Sequence, residues 1–262
     1  MCISSSVGRN SANKRADVKT IQILLNLNLD QLTPLAPLAE DGAIGPNTIA
    51  AIEEFQTRVV QMENPTGIVE PGSETLQQLK DGLSEELTEE MLRAIMPGAG
   101  SAMIERYLSP LTTAMDDNQV NTPLRVAHFL AQIGHESADL RFAEEIASGK
   151  AYEGRVDLGN TEPGDGPRFK GRGLIQLTGR ANYVRYGQAR SRDFITPTNY
   201  TLIATDPNLA VDVSCWFWTT HGLNALADSD NIEAITRKIN GGLNGIDDRK
   251  TRLARAKCFL VR

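Results

Sequence analysis

Asn121-Thr122-Pro123-Leu124-Arg125-Val126-Ala127-His128-Phe129-Leu130-Ala131-Gln132-Ile133-Gly134-His135-Glu136-Ser137 opens with a helix start and closes on a carboxylate. Thr122 is a favoured N-cap, and Pro123 suits the first turn, where its missing N–H costs nothing. Val126, Phe129, Leu130 and Ile133 recur at helical spacing, while Ala127, Ala131 and Gly134 let a neighbour pack closely. The pattern predicts a helix ending near Glu136, with that carboxyl on the side of Phe129 and Ile133. Apolar surroundings and the negative end of the helix dipole both disfavour the anion there, which suits Glu136 to hold a proton and release it as a general acid. Position alone fits a solvated helix-terminal glutamate equally well.

Glu145 follows nine residues later, beyond Leu140, Arg141 and Phe142. In a more polar setting it stays ionised and can activate a water as general base. Inversion at a sugar carbon then needs the two carboxyls roughly 6.5–9.5 Å apart. Glu144 is the immediate competitor and Glu153 a weaker one.

Farther on comes Phe169-Lys170-Gly171-Arg172-Gly173-Leu174-Ile175-Gln176-Leu177-Thr178-Gly179-Arg180-Ala181-Asn182-Tyr183. Amide side chains bond acetamido groups and hydroxyls, and a tyrosine ring offers a face to sugar C–H groups. Two carboxylates beside such a segment make hydrolysis of a glycosidic bond the leading expectation. On spacing alone, Gln176 and Asn182 read as loop or helix-cap residues.

Other chemistries fit less well. His135-Glu136 does not begin a His-Glu-x-x-His zinc site, because position 139 is Asp. His128, His135 and His221 lack ligand spacing, so neither a catalytic metal nor another cofactor is expected. Ser137 lacks a nucleophile-elbow context. Gly171-Arg172-Gly173 is too short for a phosphate loop. His135 reads as a hydrogen-bonding residue near the substrate rather than a base.

The rest of the chain is mainly α, with no sustained alternation of period two. Residues 1–82 read as a three-helix module. Asp17 is placed to cap a helix whose Val18, Ile21, Leu24 and Leu25 share a face. After Pro34 and Pro37, Asp41-Gly42-Ala43-Ile44-Gly45-Pro46-Asn47-Thr48 makes a tight turn into a helix with Ile49, Ile52 and Phe55 inward. Thr66-Gly67-Ile68-Val69-Glu70-Pro71-Gly72-Ser73-Glu74-Thr75-Leu76 echoes it. Residues 83–87 read as a short linker, and residues 88–262 as a second, helical domain. Its Gly- and Asp-rich interval from Ser148 to Gly173 is long enough to be either functional or disordered.

The charge balance is −6, with 27 basic and 33 acidic residues. Residues 1–83 carry 6 basic and 10 acidic side chains, so acidity is weighted to the first part. Neither nucleic-acid binding nor attraction to an anionic wall by bulk charge is expected. No apolar run approaches the roughly 20 residues that span a bilayer, and no signal peptide is readable. Stable membrane insertion is therefore not expected. Cys2, Cys215 and Cys258 form an odd set without metal-ligand spacing, which reads as reduced thiols in a chain made in the cytoplasm. A Cys215–Cys258 bridge is the alternative.

Two resemblances sharpen this reading. The run "DVKTIQILLN…DGAIGPNTIAAIEEFQ…TGIVEPGSETLQQL" resembles the peptidoglycan-binding domain of wall-degrading enzymes, over roughly residues 5–80. "FLAQIGHES", "YEGRVDLGNTEPGDGPRFKGRGLIQLTGRANY" and "ITRKINGGLNGIDDR" resemble, in order, the blocks of glycoside hydrolase family 19, the chitinase-like lysozymes, especially the branch found in phage endolysins. The resemblance implies a lysozyme-like, predominantly helical catalytic domain. It implies that Glu136 is the general acid, Glu145 the general base and Thr178 a holder of the attacking water. It further implies that Gln176, Asn182, Tyr183 and Asn240 contact the glycan and that Arg249 ties the carboxylates together. The sequence departs at Asn244, where many plant chitinases carry Glu, and lacks their long loops, which implies a shorter or more open cleft. The combination implies a monomeric endolysin acting on bacterial peptidoglycan after holin-assisted release. A chitinase, a non-catalytic wall-binding or phage structural protein, and an amidase or endopeptidase are the alternatives.

Overall fold

The computed structural model describes residues 2–262. In chain order its elements are β1 (Val7–Gly8), α1 (Arg15–Leu27), α2 (Pro46–Arg58), β2 (Ile68–Val69), α3 (Glu74–Asp81), α4 (Glu89–Ile95), α5 (Ser101–Asp117), α6 (Pro123–Glu136), α7 (Asp165–Arg168), α8 (Arg180–Arg190), α9 (Leu202–Thr205), α10 (Pro207–Thr220), α11 (Leu223–Asp228), α12 (Ile232–Asn240) and α13 (Ile246–Leu260). The fold is mainly helical, and the two short strands pair antiparallel, Val7 opposite Val69. Residues up to Ala94 with Ala254–Arg262 form one compact unit, and Ile95–Leu253 form another. Among the described residues no helix is long and apolar enough to cross a membrane.

In the first unit, Val18, Ile21, Leu24 and Leu25 of α1 and Ile52 and Phe55 of α2 are buried. Two glutamines organise its turns. Gln22 accepts from the Gly42 amide (2.8 Å) and donates to the Ala43 carbonyl and the Thr48 hydroxyl. Gln56 accepts from the Gly67 amide (2.9 Å) and donates to the Ile68 carbonyl and the Thr75 hydroxyl. The echo visible in the sequence is thus the same device used twice: a helix-borne amide closing a glycine turn that leads into the next helix. Gly42 cannot be replaced cheaply, since it has φ +71° and a Cβ there would lie 2.5 Å from the Arg15 carbonyl.

Two sequence expectations are corrected in this unit. Asp17 does not cap α1, which starts at Arg15 with no side-chain cap. Asp17 lies inside the first turn and accepts from the amides and hydroxyls of Ser4 and Ser5 at 2.7–3.0 Å. The thiols are not all reduced either. Cys2 and Cys258 form a disulfide with Cα atoms 4.7 Å apart, and Cys215 is free and buried. Spacing could not reveal this pair, because the fold alone brings the two ends of the chain together.

Burial pushes the Asp17 carboxyl up, but the four hydrogen bonds outweigh it and hold the group below the usual carboxylate range. A depressed carboxylate contributes stability above its unfolded value, near about 3.9, and loses it as pH falls through the folded value. Asp17→Asn should therefore cost about 1–3 kcal/mol at neutral pH. Its unfolding temperature should fall less than that of the wild type on acidification below about pH 4. Parallel acid-limb slopes in thermal melts would contradict this.

The second unit is built around α6. Thr122 accepts from the Arg125 amide (3.3 Å), with Pro123 at the first position. All eight residues from Ala127 to Gly134 are buried, so the helix is enclosed rather than presenting one apolar stripe. α11 packs on α6 and α12, and α10 on α5. Phe129 meets Trp218 edge to face at 5.4 Å, and Tyr186 stacks on Phe194 at 4.9 Å. The Ser148–Gly173 interval is ordered by polar groups. Asn160 donates to the Tyr152 carbonyl and accepts from the Arg180 amide. Glu153 accepts from the amides of Gly164 and Gly166. Buried Asp165 pairs with Arg180.

Candidate active site

Glu136 is the last residue of α6, with its side chain 19% exposed. Buried Arg249, from α13, donates to Glu136 Oε1 and to Gln132 Oε1 one helical turn earlier, and its Nε donates to the Asn244 carbonyl at 3.4 Å. Arg249 thus ties the end of α6 to α13 through Glu136 and Gln132.

A second network fixes the end of α6. His135 Nδ1 donates to Asp248 Oδ2 (2.7 Å), which also accepts from Arg252 Nε (2.6 Å). Arg252 also bonds Asp139, whose Oδ2 accepts from the Gly98 amide at 2.9 Å. Burial pushes the Asp248 carboxyl up, and the bonds from His135 and Arg252 outweigh it and bring it below its usual range. His135 lies against Gly245, where a Cβ would sit 2.3 Å from its ring. Ala138, Asp139 and Leu140 all have positive φ (50°, 60° and 64°), a run that costs on the order of 1 kcal/mol or more per residue and is held by these bonds.

Glu145 sits on a different framework. Its amide donates to the Gly171 carbonyl (2.9 Å), and the Gly171 amide donates back to Glu145 Oε2 (3.1 Å). The Tyr152 hydroxyl donates to Oε1 at 3.1 Å. Among the described residues Glu145 has no ion pair. The competitors are occupied: Glu144 is paired with Arg172 (2.8 Å) and Lys170 (3.4 Å), and Glu153 closes its own loop.

Gly171 lies between Glu145 and Gln176, which places both beside it. Gln176 takes φ 58° and spends its amide nitrogen on the Gly173 carbonyl (2.9 Å). The Thr178 hydroxyl donates to the Gln176 carbonyl (2.9 Å), and Asn182 donates to the Thr178 carbonyl (2.8 Å). Asn240 folds its amide into the turn between α12 and α13, donating to the Asn244 carbonyl and accepting from Gly242.

Tyr183 is corrected. It is fully buried, donating to the Lys170 carbonyl (2.8 Å) and accepting from Arg172 (3.2 Å) while its ring meets Phe169 at 5.2 Å. A ring enclosed on all sides has no face for a sugar. Arg249 is likewise enclosed, and of the two carboxylates it bonds Glu136 and not Glu145 among the described residues.

Sequence reasoning passed over Tyr152, Gln132, Asp139, Asp248 and Arg252. The Asp248–Arg252 pair at i,i+4 on one helix was a usable signal. Nothing local marks Tyr152.

The family model for class I chitinases of glycoside hydrolase family 19 matches residues 104–233, a span that includes Glu136, Glu145 and Thr178. A glycosyl hydrolase family 19 domain-containing protein of Haemophilus influenzae is 34% identical over 157 residues, 48% of this chain and 75% of that one. An endochitinase of Arabidopsis thaliana is 34% identical over 117 residues, but the chain spans only 39% of its length. In fold the chain is similar to chitinase C from Streptomyces griseus (TM-score 0.55, 21% identity, 68% of this chain and 77% of that one). It is also similar to a bacterial family 19 chitinase (TM-score 0.55, 23% identity, 66% and 94%). With one-third identity sustained over three quarters of a relative, and two glutamates held on separate frameworks, the chain belongs to glycoside hydrolase family 19 and is a glycosidase.

Proposed function

We propose that the enzyme is a lysozyme that hydrolyses the β-1,4 bond between N-acetylmuramic acid and N-acetylglucosamine in bacterial peptidoglycan, by single displacement with inversion. The observation that carries this choice of substrate is in the first unit. A cavity of about 460 Å³ opens there between residues 35–39, Asp41, Ala43 and the start of α2. It adjoins the Asp-Gly turn that resembles a peptidoglycan-binding domain, and its size suits a piece of wall peptide or glycan.

In the reaction, Glu136 gives its proton to the leaving oxygen as the glycosidic bond breaks. Glu145 takes a proton from the water that adds to the anomeric carbon, and solvent resets both carboxyls. Because Thr178 spends its proton on the Gln176 carbonyl, its free lone pairs can only accept, which fits a site that orients a water. Arg249 holds the acid, and no cofactor takes part. The Cys2–Cys258 bond persists best in an oxidising compartment, which fits a monomer working at the wall after holin-assisted release from the cytoplasm.

Chitin is the second reading, favoured by the endochitinases among the relatives. Lipid-extracted peptidoglycan and chitin oligomers should be digested in parallel and new reducing ends identified by mass spectrometry. New reducing-end N-acetylmuramic acid is expected. New ends from chitin alone would transfer the assignment to a chitinase, and a wall digest with free amines but no new reducing ends would indicate an amidase or endopeptidase.

A further inference from the structure

The geometry points to Tyr152 as a positioning residue of the reaction, holding the carboxylate of Glu145 in the orientation and charge state in which it accepts a proton from water. The inference rests on the reading of Glu145 as general base.

Each oxygen of that carboxylate is claimed by one donor, Oε2 by the Gly171 amide and Oε1 by the Tyr152 hydroxyl. The backbone of Glu145 is pinned as well, through its amide to Gly171 and its carbonyl to Lys170 Nζ (2.8 Å). A carboxylate offers about four lone-pair sites, so two donors fix its plane and still leave room for a water. The Gly171 donor is backbone and cannot be tuned by side-chain choice. Tyr152 is the donor that side-chain chemistry supplies.

The architecture of the loop supports the same conclusion. Tyr152 ends a short 3-10 turn, Lys150–Tyr152, in an interval that carries the strongly exposed Val156. What fixes the interval is polar: Asn160 on the Tyr152 carbonyl, Glu153 on two glycine amides, and Asp165 on Arg180. Burial pushes the Asp165 carboxyl up, and Arg180 and the Glu162 amide outweigh it and leave it below its usual range, so this clamp is ionic. Three clamps converge around the residue whose hydroxyl meets Glu145. Burial, and then the bond to Glu145, raise the Tyr152 phenol above its ordinary value, so it remains a donor.

The test is Tyr152→Phe, which removes one oxygen and keeps the ring. It is assayed on chitohexaose and on peptide-free glycan strands, with thermal unfolding as the fold control. We expect kcat to fall roughly ten- to hundredfold, as for loss of a bond to a charged group. KM should stay within about twofold, since ground-state binding is untouched. The acidic limb of the kcat profile should move to higher pH, because the anionic base loses a donor. Asn160→Ala, which frees the Tyr152 carbonyl without touching the hydroxyl, should move that limb in the same direction. An unchanged kcat and acidic limb would overturn the role. So would a rise in KM alone, which would make Tyr152 a sugar contact. Glu145→Gln in the same assay separates the two levels. If it stays active, the base assignment has failed and Tyr152 falls with it; if it is inactive while Tyr152→Phe matches wild type, only Tyr152 falls.

Discussion

Glu136→Gln should lose glycan hydrolysis by roughly 10²- to 10⁴-fold while keeping its fold. The amide has the shape of the acid but no proton to give the leaving oxygen. Its own oxygen can still accept from Arg249, and Gln132 and the Asn244 carbonyl remain in place. The guanidinium keeps its acceptors and loses its counter-charge. We therefore expect a stability loss of about 1–3 kcal/mol, at the low end because Glu136 is partly open to water. Reducing-end assays and thermal melts on the same preparation check both halves. Full activity in the variant would remove Glu136 from the mechanism, whatever the melt shows.

Cys2→Ser should cost the first unit about 2–5 kcal/mol. The two cysteines are 256 residues apart in sequence, so the bond removes much of the freedom of the unfolded chain. For a unit of this size the unfolding temperature should fall on the order of ten degrees or more. Dithiothreitol should shift the wild type in the same way and leave the variant where it is. Cys215 does not interfere: burial, and then the charge of Asp212, push its thiol up and keep it out of exchange. Because the chain forms two compact units, the transitions should be followed by separate probes rather than fitted as one. Identical melts with and without reductant would refute the expectation.

The parts of the molecule that sequence makes legible are those fixed by neighbours along the chain. Thr122 and Pro123 announce α6 because an N-cap and a first-turn proline act within three residues. The Asp-Gly turn is equally local. Glu136 at the helix end follows from the start and the period. What escapes is set by distant partners. Tyr183 has the composition of a sugar contact, yet its hydroxyl turns inward to Lys170 and Arg172. Arg249, 113 positions from Glu136, is placed beside a carboxylate by the family resemblance and not by any local pattern, and Cys2 finds Cys258 only because the fold returns there. The Ser148–Gly173 interval misleads in a different way. It has too few apolar residues to signal order, and it is ordered by hydrogen bonds that composition cannot count.

The Cys2–Cys258 bond also makes the backbone a ring. A protease that cuts once, for instance in the exposed Ser84-Glu85-Glu86 run, opens that ring without releasing a fragment. Two cuts are needed to part the glutamate-bearing unit from its companion. A single nick would thus leave the molecule in one piece.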